Sequence, residues 1–324
     1  MPIKHHTMKH YFMNTCNLPE IFLQRLREII PPEEFEYRYQ LFSQRRALSL
    51  RVNTLKSNAD EVGQILCENG FRFEPVSWYK HVLILQDTLP KDLDTTQILQ
   101  KGLAYIQSLS SMLPVLALNP QPSENVLDMC AAPGSKTTQI ASHMNNQGSI
   151  VALDAVRDRC YKLRSVISLL GVSIADVKFL DARKFKTNML FDKILVDASC
   201  SAEGRFSTLE PKTLAYWSPR KIKEMVHKQR GILLAASRLL KSGGSLVYST
   251  CTFSPEENEG VIDWFLRKTK ENFKVEEIQM DFVPRYPSLL SWGQKDFRKE
   301  VKNCLRVLPT KDMEGFFITK LVKE

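Results

Sequence analysis

The sequence predicts an α/β fold: a mostly parallel, doubly wound sheet with helices on both faces and an antiparallel hairpin at its edge, plus a small N-terminal α+β module. Three observations carry this. From about Gln107, short apolar runs alternate with helix-length stretches, the rhythm of β-α units. The last apolar runs, within NCLRVLPTKDMEGFFITKLVK, follow each other with only a turn between them. The first hundred residues lack that rhythm, which places a division between 1–106 and 107–324.

In chain order, LPEIFLQRLREII reads as an amphipathic helix stopped by Pro31 and Pro32. PEEFEYRYQLFSQ reads as a second helix. Ala47 to Leu55 alternates like a strand. SNADEVGQILCENG reads as a helix capped by Ser57 or Asn58 and closed by Gly70. VSWYKHVLILQ is strand-like, which gives the module a β-α-β core of the ferredoxin or RNA-recognition kind. In the second part IQSLSSMLPVLAL is a helix. NVLDMC, SIVALDA, VKFLDA, DKILVDAS and SLVYST are strands, separated by the helical SKTTQIASHM, RDRCYKLRSVISLLG and SPRKIKEMVHKQRGILLAASRLLKSG.

Composition narrows the function classes. The chain has 324 residues and a formal net charge of +9, which favours a polyanionic partner through counterion release. Basic residues gather at Arg25, Arg27, Arg38, Arg45, Arg46 and Arg51. Others lie at Arg220–Arg230 and at Lys295, Arg298, Lys299, Lys302 and Arg306. No apolar run is long enough for a membrane span. The basic N-terminal arm MPIKHHTMKHYFM lacks the apolar core of a secretory signal, and Met8 or Met13 are alternative starts. Seven scattered cysteines without a CxxC pair fit reduced thiols in a cytoplasm and argue against zinc. A cytoplasmic monomer without membrane or metal is expected.

Chemistry concentrates where strands end, the ligand-binding edge of such sheets. Asp128-Met129-Cys130 closes the first strand of the second part. Ala131 to Lys136 turns into a helix whose free N–H groups face a ligand, with Gly134 permitting close approach. Asp154 ends the second strand, where an acid binds ribose hydroxyls. Asp181 ends the third and is placed to accept from an adenine amino group. No GxGxxG or Walker pattern is present, which disfavours NAD and ATP. Cys200 and Cys251 follow the fourth and fifth strands. Carbon 5 of cytosine is a poor nucleophile. A thiolate adding to carbon 6 makes it an enamine carbon able to attack a sulfonium methyl group, and a second group assists elimination of the thiol. Asp197 is placed to bond ring nitrogen 3 or the exocyclic amine. Cys16, Cys67, Cys160 and Cys304 read as small buried hydrophobes.

With VLDMCAAPGSKTTQ, VALDAVRDR, FDKILVDASCSAEGRF, LLKSGGSLVYSTCTFSPEENEGV and LRVLPTKDMEGFF, the chain resembles the Sun/Fmu family of S-adenosylmethionine-dependent RNA cytosine-C5 methyltransferases, in its bacterial ribosomal RNA branch. The resemblance implies a Rossmann-like class I methyltransferase sheet and an RNA-binding N-terminal module. It implies that Cys251 is the nucleophile and that Cys200 assists release. Cys130, Ala131, Ala132, Pro133, Gly134, Ser135, Lys136, Asp154, Arg159, Asp181 and Asp197 would hold the cofactor or target base, with Lys136 beside the catalytic Asp197. The family's DAPCSG is here DASCSA, so Ser199 and Ala202 replace proline and glycine, which predicts a looser Cys200 loop. The chain also ends where some relatives continue into another RNA-binding domain. Ribosomal RNA is the first expected substrate and transfer RNA the second. A non-catalytic RNA-binding assembly factor is the rival of a different class. A DNA enzyme is disfavoured, because such enzymes attack from a Pro-Cys motif after the fourth strand.

Overall fold

The computed structural model describes residues 17–324, so the N-terminal arm, its alternative starts and Cys16 lie outside the described residues. Helix α1 (Glu20–Ile29) buries Phe22, Leu26 and Ile29, one face at helical spacing, and ends ahead of the two prolines. Helix α2 (Pro32–Gln40) follows. Then come β1 (Leu48–Val52), α3 (Ala59–Glu68), β2 (Phe73–Pro75), β3 (Val82–Leu85) and β4 (Ala104–Ile106). The Asn58 side chain caps α3 by accepting from Glu61 N at 2.9 Å. Gly70 closes it at φ +77°.

These four strands form an antiparallel sheet in the order β2-β3-β1-β4. Because β1 and β2 both run against β3, they are parallel to each other, and α3 is the crossover of a split β-α-β unit. A 3₁₀ turn at Pro90–Thr96 stands where a second helix would complete the ferredoxin pattern. VSWYKHVLILQ is a strand only over Val82–Leu85; its first half folds as tight turns, with Tyr79 N donating to Val76 O and Val82 N to Tyr79 O. The turn lets Trp78 stack on Phe282, with ring centroids 4.7 Å apart.

The second part begins with α4 (Leu109–Leu118), β5 (Asn125–Asp128), α5 (Ser135–His143), β6 (Ser149–Asp154), α6 (Arg157–Leu169) and β7 (Ala175–Phe179). It continues with β8 (Phe191–Asp197), α7 (Pro219–Leu239), β9 (Leu240–Thr250), α8 (Glu259–Lys268) and β10 (Phe273–Glu276). The short β11 (Arg285–Tyr286), β12 (Ser291–Trp292) and β13 (Lys295–Asp296) precede the hairpin of β14 (Leu305–Val307) and β15 (Phe316–Lys323). The sheet order is β11-β14-β15-β9-β8-β5-β6-β7, with β10 pairing on β15. Strands β5 to β9 are parallel, and β15 joins β9 antiparallel. The predicted hairpin is thus on the β9 side, with β11 and β10 added outside it.

The period of two along each strand divides the core. Val126, Leu195 and Val247 face α4, α5 and α6. Leu127, Ile194, Val196, Leu246 and Tyr248 face α7 and α8. Helix α1 packs away from its own sheet. Phe22 and Leu26 join Phe42, Phe206, Phe253 and Leu308, behind the loops that follow β8 and β9. The Phe22 ring lies 4.9 Å from that of Phe206, and Arg25 grips Glu256 at 3.0 and 2.6 Å.

Two sequence expectations change here. Arg51 and Arg306 sit among the basic residues read as candidates for phosphate contact, yet both are only 1% exposed. Arg306 pairs with Glu259 at 2.6 Å, and Arg51 donates to Gln107 and Thr138, both at 2.8 Å. Cys67, read as buried, is exposed on α3, whereas Cys160 and Cys304 are buried. No described helix is long and apolar enough to cross a membrane. Among the described residues no cluster of His, Cys, Asp and Glu is placed to hold a metal ion.

Candidate active site

Strands β8 and β9 are parallel neighbours, with Asp197 opposite Ser249. The loops leaving their carboxyl ends therefore start side by side, and they bring the Cys200 and Cys251 sulfurs to 3.5 Å. Both thiols line a cavity of about 530 Å³ together with Cys130, Ala131, Ala132, Pro133, Ser135, Lys136, Arg159 and Asp197. Residues from three strand ends, far apart in the chain, thus share one hollow. The hydrogen bond with Cys251, then burial, then the nearby Glu257 push the Cys200 thiol well up. Cys200 accordingly stays protonated. Burial pushes Cys130 up as well, helped by Asp128 and Asp197.

Lys136, in the first turn of α5, extends to Asp197, with Nζ 2.8 Å from Oδ2. It also donates to Ser111 Oγ at 2.7 Å and lies over the Phe316 ring. Asp197 takes a second bond from Ser249 Oγ at 2.7 Å. The carboxylate is fixed from two sides and opens onto the cavity beside the thiols.

The turn before α5 is held from behind. Asp154 accepts from Ala132 N at 3.3 Å and from Val156 N at 3.0 Å. Arg159 donates to Ala132 O at 2.5 Å. Asp128 accepts from Thr137 Oγ1 at 2.7 Å, and burial raises it to about 7. Gly134 has φ +118°, and a Cβ there would lie 3.0 Å from Leu163 and 3.2 Å from Val166. Its lack of a side chain therefore serves α5–α6 packing, not ligand approach. Gly134, Asp154 and Asp181 do not line the cavity. Asp181 ends its strand region as expected, but its carboxylate is clasped by Arg183 at 2.6 Å. Backbone N–H groups at a helix start and a carboxylate facing the hollow fit a nucleoside cofactor bearing a cationic sulfur.

Sequence reading missed several lining residues. Ser111, Arg205, Glu314 and Phe316 line the cavity too; the last three lie inside motifs quoted for the family resemblance, but nothing in those motifs shows that they face the thiols. Ala202 does carry a signal. It sits at φ +59°, ψ 29°, a left-handed conformation that costs a non-glycine residue roughly 1–2 kcal/mol, and it occupies the position where the resembling family has glycine. Ser199 O accepts from Gln229 Nε2 at 3.0 Å, which ties the loop to α7 without a proline.

Residues 115–322 match the family described as 16S rRNA methyltransferase RsmB/F. Residues 18–109 match the N-terminal domain of 16S rRNA methyltransferase RsmF. The chain is 39% identical over 279 residues to the tRNA (cytosine(49)-C(5))-methyltransferase of Pyrococcus abyssi, covering 85% of this chain and 88% of that one. It is 37% identical over 321 residues to ribosomal RNA small subunit methyltransferase F of Escherichia coli O157:H7. That match covers 96% of this chain but 64% of the relative's length. Among solved structures, a methyltransferase homolog from Pyrococcus horikoshii superposes with a TM-score of 0.75 at 33% identity, covering 95% of this chain and 100% of that one. NSun6 from Pyrococcus horikoshii with SFG shares the fold, with a TM-score of 0.79 at 24% identity, covering 96% and 99%.

Proposed function

The chain belongs to the 16S rRNA methyltransferase RsmB/F family, and on that premise we propose that it methylates carbon 5 of a cytosine in RNA, as a cytoplasmic monomer. The observation that carries this reading is the pair of sulfurs 3.5 Å apart in one cavity with the Lys136–Asp197 ion pair. S-adenosylmethionine supplies the methyl group as a sulfonium. The turn from Cys130 to Lys136 and Arg159 hold it, while Asp154 keeps that turn in shape. Asp197, steadied by Lys136 and Ser249, takes the ring nitrogen 3 or exocyclic amine edge of the base.

Cys251 is the nucleophile. Its sulfur bonds to carbon 6, the displaced electron pair makes carbon 5 nucleophilic, and carbon 5 accepts the methyl group. A base then takes the carbon-5 proton, the freed electron pair restores the ring double bond, and the carbon 6–sulfur bond breaks with its pair going to the Cys251 sulfur, 3.5 Å from the assisting Cys200 thiol.

Three arginines line one approach to the site. A second cleft of about 430 Å³ shares Ala202, Arg205 and Glu314 with the first and is lined by Arg45 and Arg46. A third shares those two arginines and reaches the end of β3, but Glu74, Asp87, Asp92 and Asp312 also line it, so the phosphate contacts are placed in the second. This supports an RNA-binding role for the module over 1–106. Ribosomal RNA is the first substrate, on the strength of a relative aligned over 96% of the chain. Transfer RNA is the second, on the strength of the 39% identical relative.

The test is a denaturing gel of cysteine variants incubated with RNA and labelled S-adenosylmethionine. Cys200→Ala should accumulate a covalent protein–RNA adduct, and Cys251→Ala should give neither adduct nor product. Accumulation with Cys251→Ala alone would reverse the roles. Bisulfite sequencing of RNA with and without the protein then identifies the cytosine.

A further inference from the structure

Behind the two thiols runs a chain of four side chains that the reaction above does not use. Ser201 follows Cys200, and Thr252 follows Cys251. Their hydroxyl oxygens lie 2.7 Å apart. At one end Ser201 Oγ contacts Glu257 Oε1. At the other, Thr252 Oγ1 lies 2.9 Å from Glu203 Oε2. Glu203 and Glu257 are 1% and 0% exposed. Arg25, the cation facing Glu203, is itself held by Glu256.

A proton count decides the state of this chain. It has three oxygen–oxygen contacts, and each needs a proton between its oxygens. The two hydroxyls supply two. The third has to come from a carboxyl group. With both glutamates ionised, one contact would set lone pair against lone pair in the buried interior.

The other donors locate that proton. On Glu203, Trp217 Nε1 reaches Oε1 at 2.9 Å and Phe253 N reaches Oε2 at 3.1 Å, so each oxygen already accepts. On Glu257 the closer N–H groups converge on Oε2, from Gln229 at 2.8 Å and Ser201 N at 3.0 Å. Oε1 is left with the Ser201 hydroxyl and a longer 3.3 Å contact. The proton therefore sits on Glu257 Oε1 and points at Ser201; Ser201 donates to Thr252, and Thr252 to Glu203. Burial pushes both carboxyls up, Glu257 to about 8.

We propose that Glu203 and Glu257 share a single proton through Ser201 and Thr252, and that this chain is a positioning device that clamps the Cys200 and Cys251 loops at their working separation. It rests on reading the two cysteines as the reaction thiols. Reversing all three hydrogen bonds moves the proton to Glu203 and the negative charge from beneath the Cys251 loop to beneath the Cys200 loop, with total charge unchanged. The groups facing Glu257 are Cys200 and Ser201 from the β8 loop, Gln229 from α7, Glu203, and Tyr248 from β9, which donates to its carbonyl. Cys200 and Tyr248 are themselves pushed well up, so neither competes for the proton near neutrality.

Three measurements on the full chain, none using RNA or cofactor, test this apart from the methylation reading. First, the two isosteric variants should differ. Glu257→Gln keeps an N–H aimed at Ser201, whereas Glu203→Gln sets an amide N–H against Trp217 or Phe253. Glu257→Gln should therefore melt at the higher temperature; equal or reversed melting temperatures overturn the assignment. Second, infrared spectra at neutral pH should show a protonated carboxyl band that Glu257→Gln removes and Asp128→Asn does not; absence of that band in the wild type overturns the shared proton. The sign follows from the raised value. Stability falls as pH rises from the ordinary 4.5 of Glu257 to about 8, so the melting advantage of Glu257→Gln over wild type should grow across that window and level off above it. A constant difference counts against the proposal. Third, phenylarsine oxide, which bridges two close thiols, should bind Thr252→Val about tenfold more weakly than wild type, the worth of one lost hydrogen bond. Unchanged binding there refutes the positioning role.

Discussion

Replacing Arg51 by Met separates an arginine that serves the fold from arginines that serve RNA. Arg51 bridges the N-terminal sheet to α5, donating to Gln107 Oε1 and Thr138 Oγ1 at 2.8 Å each. Hydrogen bonds from a charged donor contribute ~1.5–3 kcal/mol each, or roughly 3–6 kcal/mol for the pair. Burial opposes this by pulling the guanidinium from 12.5 to about 10, which corresponds to about 3 kcal/mol at ~1.4 kcal/mol per pH unit. Removal also strands Gln107 Oε1 in the interior, at a cost of ~1–3 kcal/mol. The ranges combine to a destabilisation of roughly 1–6 kcal/mol, a Tm drop of roughly 2–24 °C at ~2–4 °C per kcal/mol. Calorimetry gives the Tm, and RNA binding at a series of salt concentrations gives the slope of log K against log salt. Arg51→Met should lower the Tm and leave the slope intact, while Arg45→Gln should leave the Tm and reduce the slope by about one phosphate's worth. An Arg51→Met protein that melts like wild type and binds RNA with a flattened slope would refute this reasoning.

Lys136→Met leaves Asp197 with only Ser249. Breaking a fully buried pair costs ~3–5 kcal/mol, and the part-exposed Asp197 reduces this to about 2–3 kcal/mol, or roughly 30- to 150-fold in single-turnover methylation. A loss under about threefold would remove the ion pair from the account. Asp154→Ala frees the amides of Ala132 and Val156, and calorimetry should show S-adenosylmethionine binding weakened by about tenfold or more; wild-type affinity would show that the turn holds without it. His143 is buried against Tyr79, and burial, then Arg51, lower it from 6.5 to about 4. Its contribution is present above pH 6.5 and lost as pH falls through about 4, so His143→Asn should flatten the decline of stability over that interval, and an unchanged acid profile would contradict its burial as a neutral ring.

Much of the fold and of the site was legible because strand ends converge. The sequence places Cys200 and Cys251 just past the fourth and fifth strands, and because those strands are parallel neighbours in the sheet the two thiols meet. Asp197 was legible for the same reason, whereas the place of Lys136 beside it came from the family resemblance. Arg51 was misread because its sequence context, an arginine amid other arginines, says nothing of the α5 surface that folds over it. Gly134 showed its conformation but not its purpose, since Leu163 and Val166 reach it only through tertiary packing. Glu203 and Glu257 lie inside quoted motifs, yet nothing in their spacing reveals that the two loops bring them to opposite ends of one hydroxyl chain. The region from Glu259 to Asn303 stayed unread because it mixes one helix with two-residue strands that periodicity cannot register.

The docking of α1 behind the thiol loops fixes an order of assembly. This helix is made before its partners Phe206, Trp217, Phe253 and Leu308, which are spread through the later part of the sequence. During synthesis it meets nearby side chains such as Phe42 first, and the rest of its cluster only once Leu308 has emerged. Long-range contacts of this kind close late and slowly. The loops bearing Cys200 and Cys251 thus acquire their backing only at the end of folding, so an incomplete chain has the cofactor turn before it has a supported pair of thiols.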